Sequence, residues 1–482
     1  MILAEMFPYS HLVFIVFTIL YAITVLSTIA VVISENRNPI KSLSWVTVLI
    51  LLPFLGLILY LFFGRSMKSV AMISLKNRQK LRSQRPLETV DIDQLDLTDD
   101  SKQLIRLVNA VTEPHFFPGN QIDIFTEGKG KFEQLKTDLM LAKEYINLQY
   151  YIFSADQIGQ ELSNILIRKA QEGVKVRVIY DHVGSWSIAT SFFKHMRKMG
   201  VEAYPFLRVT FPQLANRLNW RNHRKLVIID GRVGYIGGMN IADRYVTGER
   251  GQSAWRDTHL RVVGDIVSAL QFSFAVDWNF MKRMLLTQET RSRSRNPNDS
   301  NGMQIVASGP MGKWNGMSFV FLKAISMAKR CIYVQTPYFL PSDGQIKALQ
   351  TAALSGVDVR LMIPRSPDSK VLRYSSFSYV RECLEAGIKV YFFERRMMHA
   401  KCVIVDDEFV TTGSTNFDFR SFEHNFECNA LVYGRDFNRR MKRVFLDDIK
   451  AGCTRIILSH WRRRPLWQRA LESLSRLLGP IL

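Results

Sequence analysis

The sequence predicts an α/β protein with two tandem α/β domains, preceded by two transmembrane helices. Two observations lead to this prediction: long uncharged stretches near the N-terminus, and a duplicated pattern of helices and strands after them. The chain has 482 residues, of which 47% are apolar, so it can bury large cores and is not intrinsically disordered. It carries 64 basic and 43 acidic residues, a formal net charge of +21. This charge predicts attraction to a polyanion, either a nucleic acid or an anionic membrane surface.

The N-terminal membrane region, residues 1–66, contains uncharged stretches at 11–33 and 43–63. At about 1.5 Å per residue, each is long enough as a helix to cross a hydrocarbon core of about 30 Å. Basic residues follow the second stretch before any acid: Arg65, Lys68, Lys76, Arg78, Lys80, Arg82 and Arg85. By the positive-inside rule this part is cytoplasmic, which predicts a multi-pass membrane protein with a cytoplasmic catalytic domain.

Residues 67–120 are predicted to be a linker that is first basic and then acidic, and its acidic stretch 88–100 is expected to be an exposed linker or cap. The polar segment 291–302 is the predicted surface connection between the two domains, at 121–292 and 303–460. Five cysteines follow no metal or disulfide spacing, which favours a reducing compartment: Cys331, Cys383, Cys402, Cys428 and Cys453.

The duplication is visible as three pairs of similar segments. They are 142–153 with 328–339, 173–178 with 356–361, and 200–204 with 387–391. The offsets are nearly constant, and each copy alternates helix and strand patterns over about 170 residues. Such alternation predicts an α/β architecture in both copies.

Both copies contain the pattern His-x-Lys-x4-Asp-x6-Gly-[Gly/Ser]-x-Asn. Its members are His223, Lys225, Asp230, Gly237, Gly238 and Asn240 in the first copy, and His399, Lys401, Asp406, Gly413, Ser414 and Asn416 in the second. Residues two apart on a strand face the same side, so each His and Lys project together. The small residues are expected to let the backbone approach a bound group.

Two such strands face to face would surround one phosphoryl group with imidazoles, ammonium groups and amides, which suits a transition state of growing negative charge. Asn240, Asn416 and Ser414 are the candidate phosphate ligands. No metal is expected, because a protonated lysine offers no lone pair to a metal ion. Asp257 and Glu427 each lie seven residues before a glycine, and each is expected to accept a hydrogen bond from the imidazole of its own copy.

These motifs resemble those of the phospholipase D superfamily, in which two tandem phospholipase D-like α/β domains form one active site. Within it, nearly the whole chain resembles the bacterial cardiolipin synthases of the membrane-anchored type. The similar segments are the paired N-terminal stretches, 36–41 before Trp45, 53–64, 221–225, 255–259, 277–278 and 308–310.

The resemblance implies transfer of a phosphatidyl group between two phosphatidylglycerol molecules, through a phosphatidyl-histidine, to give cardiolipin and glycerol. It implies His223 as nucleophile and His399 as general acid and base, although the sequence itself does not break their near-symmetry. Lys225 and Lys401 would hold phosphoryl oxygens, and Asp230 and Asp406 would support the site. No organic cofactor is implied.

Other functions remain open on the residues alone. A phospholipase D-type lipid hydrolase or another transphosphatidylase would use the same residues, and the acceptor alcohol is not readable from the sequence. A nuclease would have no use for two membrane spans, and a non-enzymatic scaffold would not need both histidines and both lysines. Anionic membrane lipids, not nucleic acid, are therefore the expected partners, and a homo-oligomer is left open.

The C-terminal segment, 461–482, is basic and amphipathic. One helical face carries Trp467, Ala470, Leu471, Leu474, Leu477 and Leu478, after the arginines Arg462, Arg463 and Arg464. Such a helix is typical of a membrane interface. Packing onto the catalytic domain is the alternative.

Overall fold

The computed structural model describes residues 10–34, 39–60, 64, 71–83, 90–112, 115–209, 219–249, 251, 253–281, 301–477 and 479. It separates into two compact units. One unit comprises residues 1–67 with 209–219, and the other comprises 68–208 with 220–482.

The first unit contains three described helices: α1 (Ser10–Ser34), α2 (Pro39–Leu51) and α3 (Pro53–Leu59). In the described part of the chain, one helix, Leu12–Ser34, is long and apolar enough to cross a membrane. The second predicted span, 43–63, is divided where α3 begins at Pro53, because proline cannot donate the amide hydrogen bond of a helix interior. A second membrane-crossing helix is therefore not confirmed, and residues 61–63 lie outside the described part.

The second unit begins with two helices and the first repeat. Its helices are α4 (Leu75–Ser83), α5 (Asp99–Val111), α6 (Gly128–Met140), α7 (Gln157–Gln171), α8 (Thr190–Lys198) and α9 (Val267–Phe280). Its strands are β1 (Phe117–Phe125), β2 (Tyr145–Tyr150), β3 (Lys175–Asp181), β4 (Glu202–Phe206), β5 (Arg221–Asn222), β6 (Leu226–Ile229), β7 (Val233–Gly237) and β8 (His259–Val263).

The second repeat follows the same plan. Its strands are β9 (Asn301–Ser308), β10 (Cys331–Gln335), β11 (Phe339–Leu340), β12 (Asp358–Pro364), β13 (Lys389–Phe393), β14 (Cys402–Val405), β15 (Phe409–Gly413), β16 (Phe417–Asp418), β17 (Asn425–Tyr433) and β18 (Cys453–Arg455). Its helices are α10 (Gly316–Ser326), α11 (Asp343–Leu354), α12 (Lys370–Ser378), α13 (Val380–Glu385), α14 (Phe419–Glu423), α15 (Arg435–Gly452), α16 (Leu458–Arg462) and α17 (Leu466–Leu477).

One large sheet runs through both repeats. The first repeat contributes the order β1-β8-β7-β6-β2-β3-β4, and the second contributes β9-β17-β15-β14-β10-β12-β13-β18. β1 pairs antiparallel with β9, which joins the halves, while β9 also pairs with β17. The matching strand orders confirm the α/β class and the duplication inferred from the sequence.

Each repeat has its own hydrophobic core, built on buried strands such as β2 and β10, whose residues are all buried. The expectation of a linker over 67–120 is wrong for α5. Leu104, Ile105 and Val108 of this helix are fully buried in the core of the second repeat, because its apolar residues recur at helical spacing and need a partner surface. Most of the predicted connection 291–302 lies outside the described residues, and Asn301 already begins β9.

Candidate active site

The segment that carries His223 belongs to the first repeat but pairs with a strand of the second repeat. β5, directly before this histidine, pairs in parallel with β17, and the backbone N–H of His223 donates to the carbonyl of Phe426 at 2.9 Å. The sequence then continues into β6, where four consecutive buried apolar residues return the chain to the first repeat. His223 therefore lies at the boundary between the two repeats.

His399 is placed by the corresponding exchange. Arg256 of the first repeat bridges in parallel to Met398 of the second. The backbone N–H of His399 donates to the carbonyl of Arg256, and the N–H of Arg256 donates to Met397. Both motif histidines are therefore fixed by backbone hydrogen bonds to the opposite repeat.

This exchange corrects the predicted partners of the two imidazoles. Nδ1 of His223 lies 3.0 Å from Glu427 Oε2, and Nδ1 of His399 lies 2.7 Å from Asp257 Oδ2. Each carboxylate thus binds the imidazole of the other copy and not of its own copy. The physical reason is that each histidine segment pairs with the strand or loop that carries the opposite acid.

The environment of His223 favours a neutral imidazole beside an ionised carboxylate. Burial lowers the pKa of His223 to about 4, and the attraction of Glu427 only partly opposes this. Burial also disfavours ionisation of Glu427, but His223, Lys225 and the Ser414 hydroxyl outweigh it and lower the pKa of that carboxyl. With Glu427 charged, Nδ1 of His223 is the donor, which leaves the Nε2 lone pair unprotonated.

His399 has more contacts at the same ring nitrogen. Besides Asp257, its Nδ1 lies 3.2 Å from the hydroxyl of Tyr245 and 2.9 Å from Nζ of Lys401. Burial raises the pKa of Asp257 to about 6, and burial together with nearby cations lowers the pKa of His399. Burial therefore disfavours the charged form of both His399 and Asp257, whereas Glu427 keeps its charged form.

The motif lysines are buried with the histidines. Nζ of Lys225 donates to the carbonyl of His223 at 2.6 Å, and Nζ of Lys401 donates to the carbonyl of His399. Burial lowers the pKa of both ammonium groups, that of Lys401 to about 8. An anionic ligand between the lysines would restore their charge, since it would replace the solvation that burial removes.

The motif aspartates hold strands in place at the far end of β6 and β14 from the histidines. The Asp230 carboxylate accepts backbone N–H groups from residues 143, 144 and 145, each at 2.8 Å. Asp406 does the same for residues 329, 330 and 331, at 2.8–2.9 Å. Both have positive φ angles, 51° and 54°, so each aspartate also makes a tight turn that few residues adopt.

The small motif residues face the carboxylates and not an open space. A Cβ on Gly238 would lie 2.2 Å from Oδ1 of Asp257. In the second copy the hydroxyl of Ser414 donates to Glu427 and the side chain is fully buried. The expected phosphate contact of Ser414 is therefore wrong in geometry: its donor is engaged by the acid that holds His223.

Asn240 and Asn416 are buried beside the histidine segments. Nδ2 of Asn240 donates to the Tyr245 hydroxyl at 3.2 Å, and Nδ2 of Asn416 donates to Asp418 at 3.0 Å. An amide nitrogen carries two hydrogens, so each asparagine keeps a second N–H beyond these contacts.

Three aromatic residues that sequence reasoning missed line the histidines. The Tyr151 ring lies edge-on to His223 at 5.1 Å, and the rings of Tyr245 and Trp255 lie 5.9 Å and 5.6 Å from His399. Tyr245 lies five residues after Asn240, but the second repeat has Ser421 at the same offset from Asn416, so the duplication gave no signal for it.

No group of three or more His, Cys, Asp or Glu side chains within the described ranges is placed to hold a metal ion. The two histidines and the two lysines are buried close together, since both lysines lower the pKa of both imidazoles. Two buried imidazoles with carboxylate partners suit covalent phosphoryl transfer, in which one ring attacks phosphorus and the other moves the proton. Fold and site together define an enzyme of the two-histidine phosphodiester class.

Comparison with known proteins identifies the family within this class of enzymes. The sequence profile described as "Cardiolipin synthase, PLD-like domain" matches residues 135–268 and 321–449, and that of "Phospholipase_D-nuclease N-terminal" matches 16–65. The chain is 38% identical to the major cardiolipin synthase ClsA of Bacillus subtilis, over 97% of this chain and 99% of that protein. It is 39% identical to a cardiolipin synthase of a Geobacillus species, over 94% and 91%.

The chain belongs to the cardiolipin synthase family of phospholipase D-like proteins. Among solved structures it is similar to phosphatidylserine synthase of Haemophilus influenzae, with a TM-score of 0.59 and 14% identity. The match covers 79% of this chain and 100% of that one. At this identity the likeness concerns the fold alone.

Proposed function

We propose that this protein is a cardiolipin synthase that transfers a phosphatidyl group from one phosphatidylglycerol to another and releases glycerol. The observation that carries the proposal is the pair of buried imidazoles, each bound at Nδ1 by a carboxylate of the opposite repeat. The names of relatives that match nearly the full chain support the same activity.

In the first half-reaction, Nε2 of His223 attacks the phosphorus of one phosphatidylglycerol. The P–N bond forms, the P–O bond to the terminal glycerol breaks, and His399 gives its proton to the departing glycerol oxygen. His223 is assigned as the nucleophile because the ionised Glu427 accepts from its Nδ1 and leaves the attacking Nε2 lone pair free. His399 is assigned as the acid because Asp257 accepts from its Nδ1 and stabilises the ring when Nε2 also carries a proton, which is the proton given to glycerol.

In the second half-reaction, the terminal hydroxyl of another phosphatidylglycerol gives its proton to His399. The hydroxyl oxygen attacks the phosphorus, the P–N bond breaks, and His223 regains its lone pair. Atoms and protons balance, because the proton that His399 lost to glycerol returns from the acceptor. Cardiolipin and glycerol are the products.

Lys225, Lys401, Asn240 and Asn416 are the proposed ligands of the phosphoryl oxygens. Each lysine contacts the histidine of its own copy, and each asparagine retains one amide hydrogen after its internal contact. These donors are fixed before substrate arrives, so they stabilise the charge that develops on phosphorus without reorganising.

We place the enzyme in the bacterial plasma membrane, with two spans within residues 1–66 and the repeats on the cytoplasmic side. The long apolar helix Leu12–Ser34 and the basic run after residue 64 support this topology. The tether keeps the site near its lipids and makes nucleic acid an unsuitable substrate.

The C-terminal helix α17 is proposed to lie in the membrane interface. Leu466, Trp467, Leu474 and Leu477 are 58–77% exposed, whereas Glu472, 5% exposed, is paired with Arg464. The helix therefore packs on the domain by its polar side and presents its apolar side outward. α17 packs on α12, and α12 follows β12 in the chain. His399 lies at the edge of the sheet where β12 ends.

The test is to incubate the purified protein in detergent with phosphatidylglycerol as the only lipid, beside His223→Ala and His399→Ala. We expect cardiolipin and glycerol from the wild type, and a loss of at least about 10³-fold in both variants. Products are resolved by mass spectrometry.

A lipid hydrolase is the second candidate, since water could reach the same phosphoenzyme. Phosphatidic acid and glycerol without cardiolipin would establish hydrolysis and overturn the synthase. Full activity in either histidine variant would overturn the two-histidine mechanism.

A further inference from the structure

Arg244 lies next to the proposed acid and base, four residues after the motif residue Asn240. Its guanidinium carbon is 4.6 Å from the centre of the Trp255 ring, and that ring is 5.6 Å from the His399 ring. The following residue, Tyr245, reaches Nδ1 of His399 with its hydroxyl at 3.2 Å. Arg244 and His399 therefore flank the same tryptophan.

One donor of the Arg244 guanidinium has no acceptor. Its Nε is buried without a hydrogen-bond partner, and no carboxylate pairs with it in the part of the chain that the structure describes. The carboxylate of neighbouring Asp243 is already occupied by the backbone N–H groups of residues 157 and 158. A buried donor without an acceptor costs free energy, so this position is suited to a ligand that brings acceptor oxygens.

Other arginines around the site do have partners. Arg224 pairs with Asp277 at 2.7 Å, and Arg256 pairs with Asp448 at 2.8 Å. Arg420, which holds the position of Arg244 in the second repeat, donates Nε to Asn425 Oδ1 at 3.4 Å. The duplication therefore supplies an arginine at this position twice, and Arg244, the copy beside His399, is the one whose Nε has no acceptor.

We propose that Arg244 binds the phosphate of the acceptor phospholipid, and so selects a lipid alcohol over water or free glycerol. The inference rests on the proposed function. In phosphatidylglycerol a three-carbon chain joins the terminal hydroxyl to the phosphate, so a hydroxyl bound at His399 carries its phosphate close by. A planar guanidinium binds phosphate oxygens in pairs. Water and glycerol carry no phosphate and gain nothing from this contact.

The electrostatics link acceptor binding to base strength. Burial is the main cause of the low pKa of His399, and the charge of Arg244 is among the cations that lower it further. A phosphate on Arg244 neutralises this charge and makes His399 a stronger base. The acceptor therefore improves the base that activates its own hydroxyl.

The test compares two reactions of the same phosphoenzyme in micelles of phosphatidylglycerol. One is cardiolipin formation, and the other is exchange of labelled glycerol into phosphatidylglycerol, whose acceptor carries no phosphate. In Arg244→Gln we expect the ratio of cardiolipin formation to exchange to fall about 10- to 100-fold, the usual range for a hydrogen bond to a charged group. Arg244→Lys should restore part of the ratio.

Arg360→Gln is the matched control, because Arg360 also stacks on an aromatic ring, Tyr333 at 4.8 Å, and is paired with Asp358. It should keep the wild-type ratio. An unchanged ratio in Arg244→Gln, or an equal loss of both reactions, overturns the acceptor site and leaves the synthase standing. A wild type that exchanges glycerol but makes no cardiolipin overturns the proposed function itself.

Discussion

At the scale of single residues, the two histidines differ in what surrounds their carboxylate partners. Glu427 accepts from Asn425 Nδ2 at 3.1 Å and from the Ser414 hydroxyl, which favours its charged form. Asp257 accepts the backbone N–H of Thr258, and its pKa is raised to about 6. Gly238 occupies the position of Ser414 in the first repeat, so Asp257 receives no hydrogen bond from a serine hydroxyl there, and its charged form is less stabilised. This difference supports His223 as nucleophile, a choice that the near-symmetric motifs could not make.

The pH dependence of Lys401 is a testable consequence of its burial. Burial lowers its pKa to about 8 against the attraction of Asp257 and Glu427, so the free enzyme loses this cation as pH rises through 8. In Lys401→Arg the charge persists. We therefore expect the ratio of kcat/KM, variant over wild type, to rise about fivefold between pH 8 and 9.

The ratio is the quantity to measure, because the titration of the His399–Asp257 pair affects both proteins and cancels. Steady-state rates on phosphatidylglycerol micelles from pH 6.5 to 9.5 give it directly. A ratio that stays level across this range would contradict a lysine that titrates near pH 8.

At the scale of secondary-structure elements, the motif aspartates hold the first residues of β2 and β10 in place by accepting their backbone N–H groups. Asp230→Ala removes the acceptor of three backbone N–H groups at the start of β2 and leaves an alanine at a φ of 51°. Asp406→Ala does the same before β10. We expect each change to lower the free energy of unfolding by about 3 kcal/mol, since bonds to a charged acceptor contribute about 1.5–3 kcal/mol each and water replaces part of them.

Thermal unfolding in detergent at one scan rate measures this loss. Asp407→Asn is the neighbouring control: its carboxylate forms ion pairs with Arg330 and Lys442 near the surface, and such pairs contribute at most about 1 kcal/mol. Equal melting temperatures for the Asp406 and Asp407 variants would show that the aspartate does not hold the strand.

Elements were predictable from the sequence where periodicity and the duplication were strong. The paired segments around β2 and β10 fixed the α/β class, because a buried strand after a helix is readable from apolar runs. α5 was missed as a core element, since acidic residues at its start gave the segment the composition of a linker. The second apolar stretch is divided at Pro53. The proline was visible in the sequence, but whether it ends a helix or only bends it depends on the surrounding structure.

At the scale of the whole molecule, the site exists because the two repeats exchange segments. The sequence predicted that these histidines and carboxylates contact each other, but not that Glu427 pairs with His223 and Asp257 with His399. Similarity within each copy suggests partners within that copy, whereas the exchange depends on β5 pairing with β17 across the repeats. Neither repeat contains a complete histidine–carboxylate pair, so both repeats are needed to form each pair.

The outward apolar side of α17 leads to a prediction about the whole enzyme at a bilayer. Replacing Leu471, Leu474 and Leu477 by Ser should lower activity on phosphatidylglycerol in vesicles about threefold or more. Each exposed leucine loses most of the transfer free energy, about 1.5 kcal/mol or more, that it would gain in the interface. The N-terminal helix still tethers the chain, so the loss reflects orientation of the site and not release from the membrane.

Short-chain phosphatidylglycerol dissolved as monomers needs no interface, so the same variant should turn it over at the wild-type rate. Leu141→Ser with Leu354→Ser is the matched control, because these leucines are 69% and 74% exposed outside α17, and it should behave as wild type on both substrates. An equal loss on vesicles and monomers would mean that α17 supports the fold. No loss on either would mean that its apolar side does not meet the lipid.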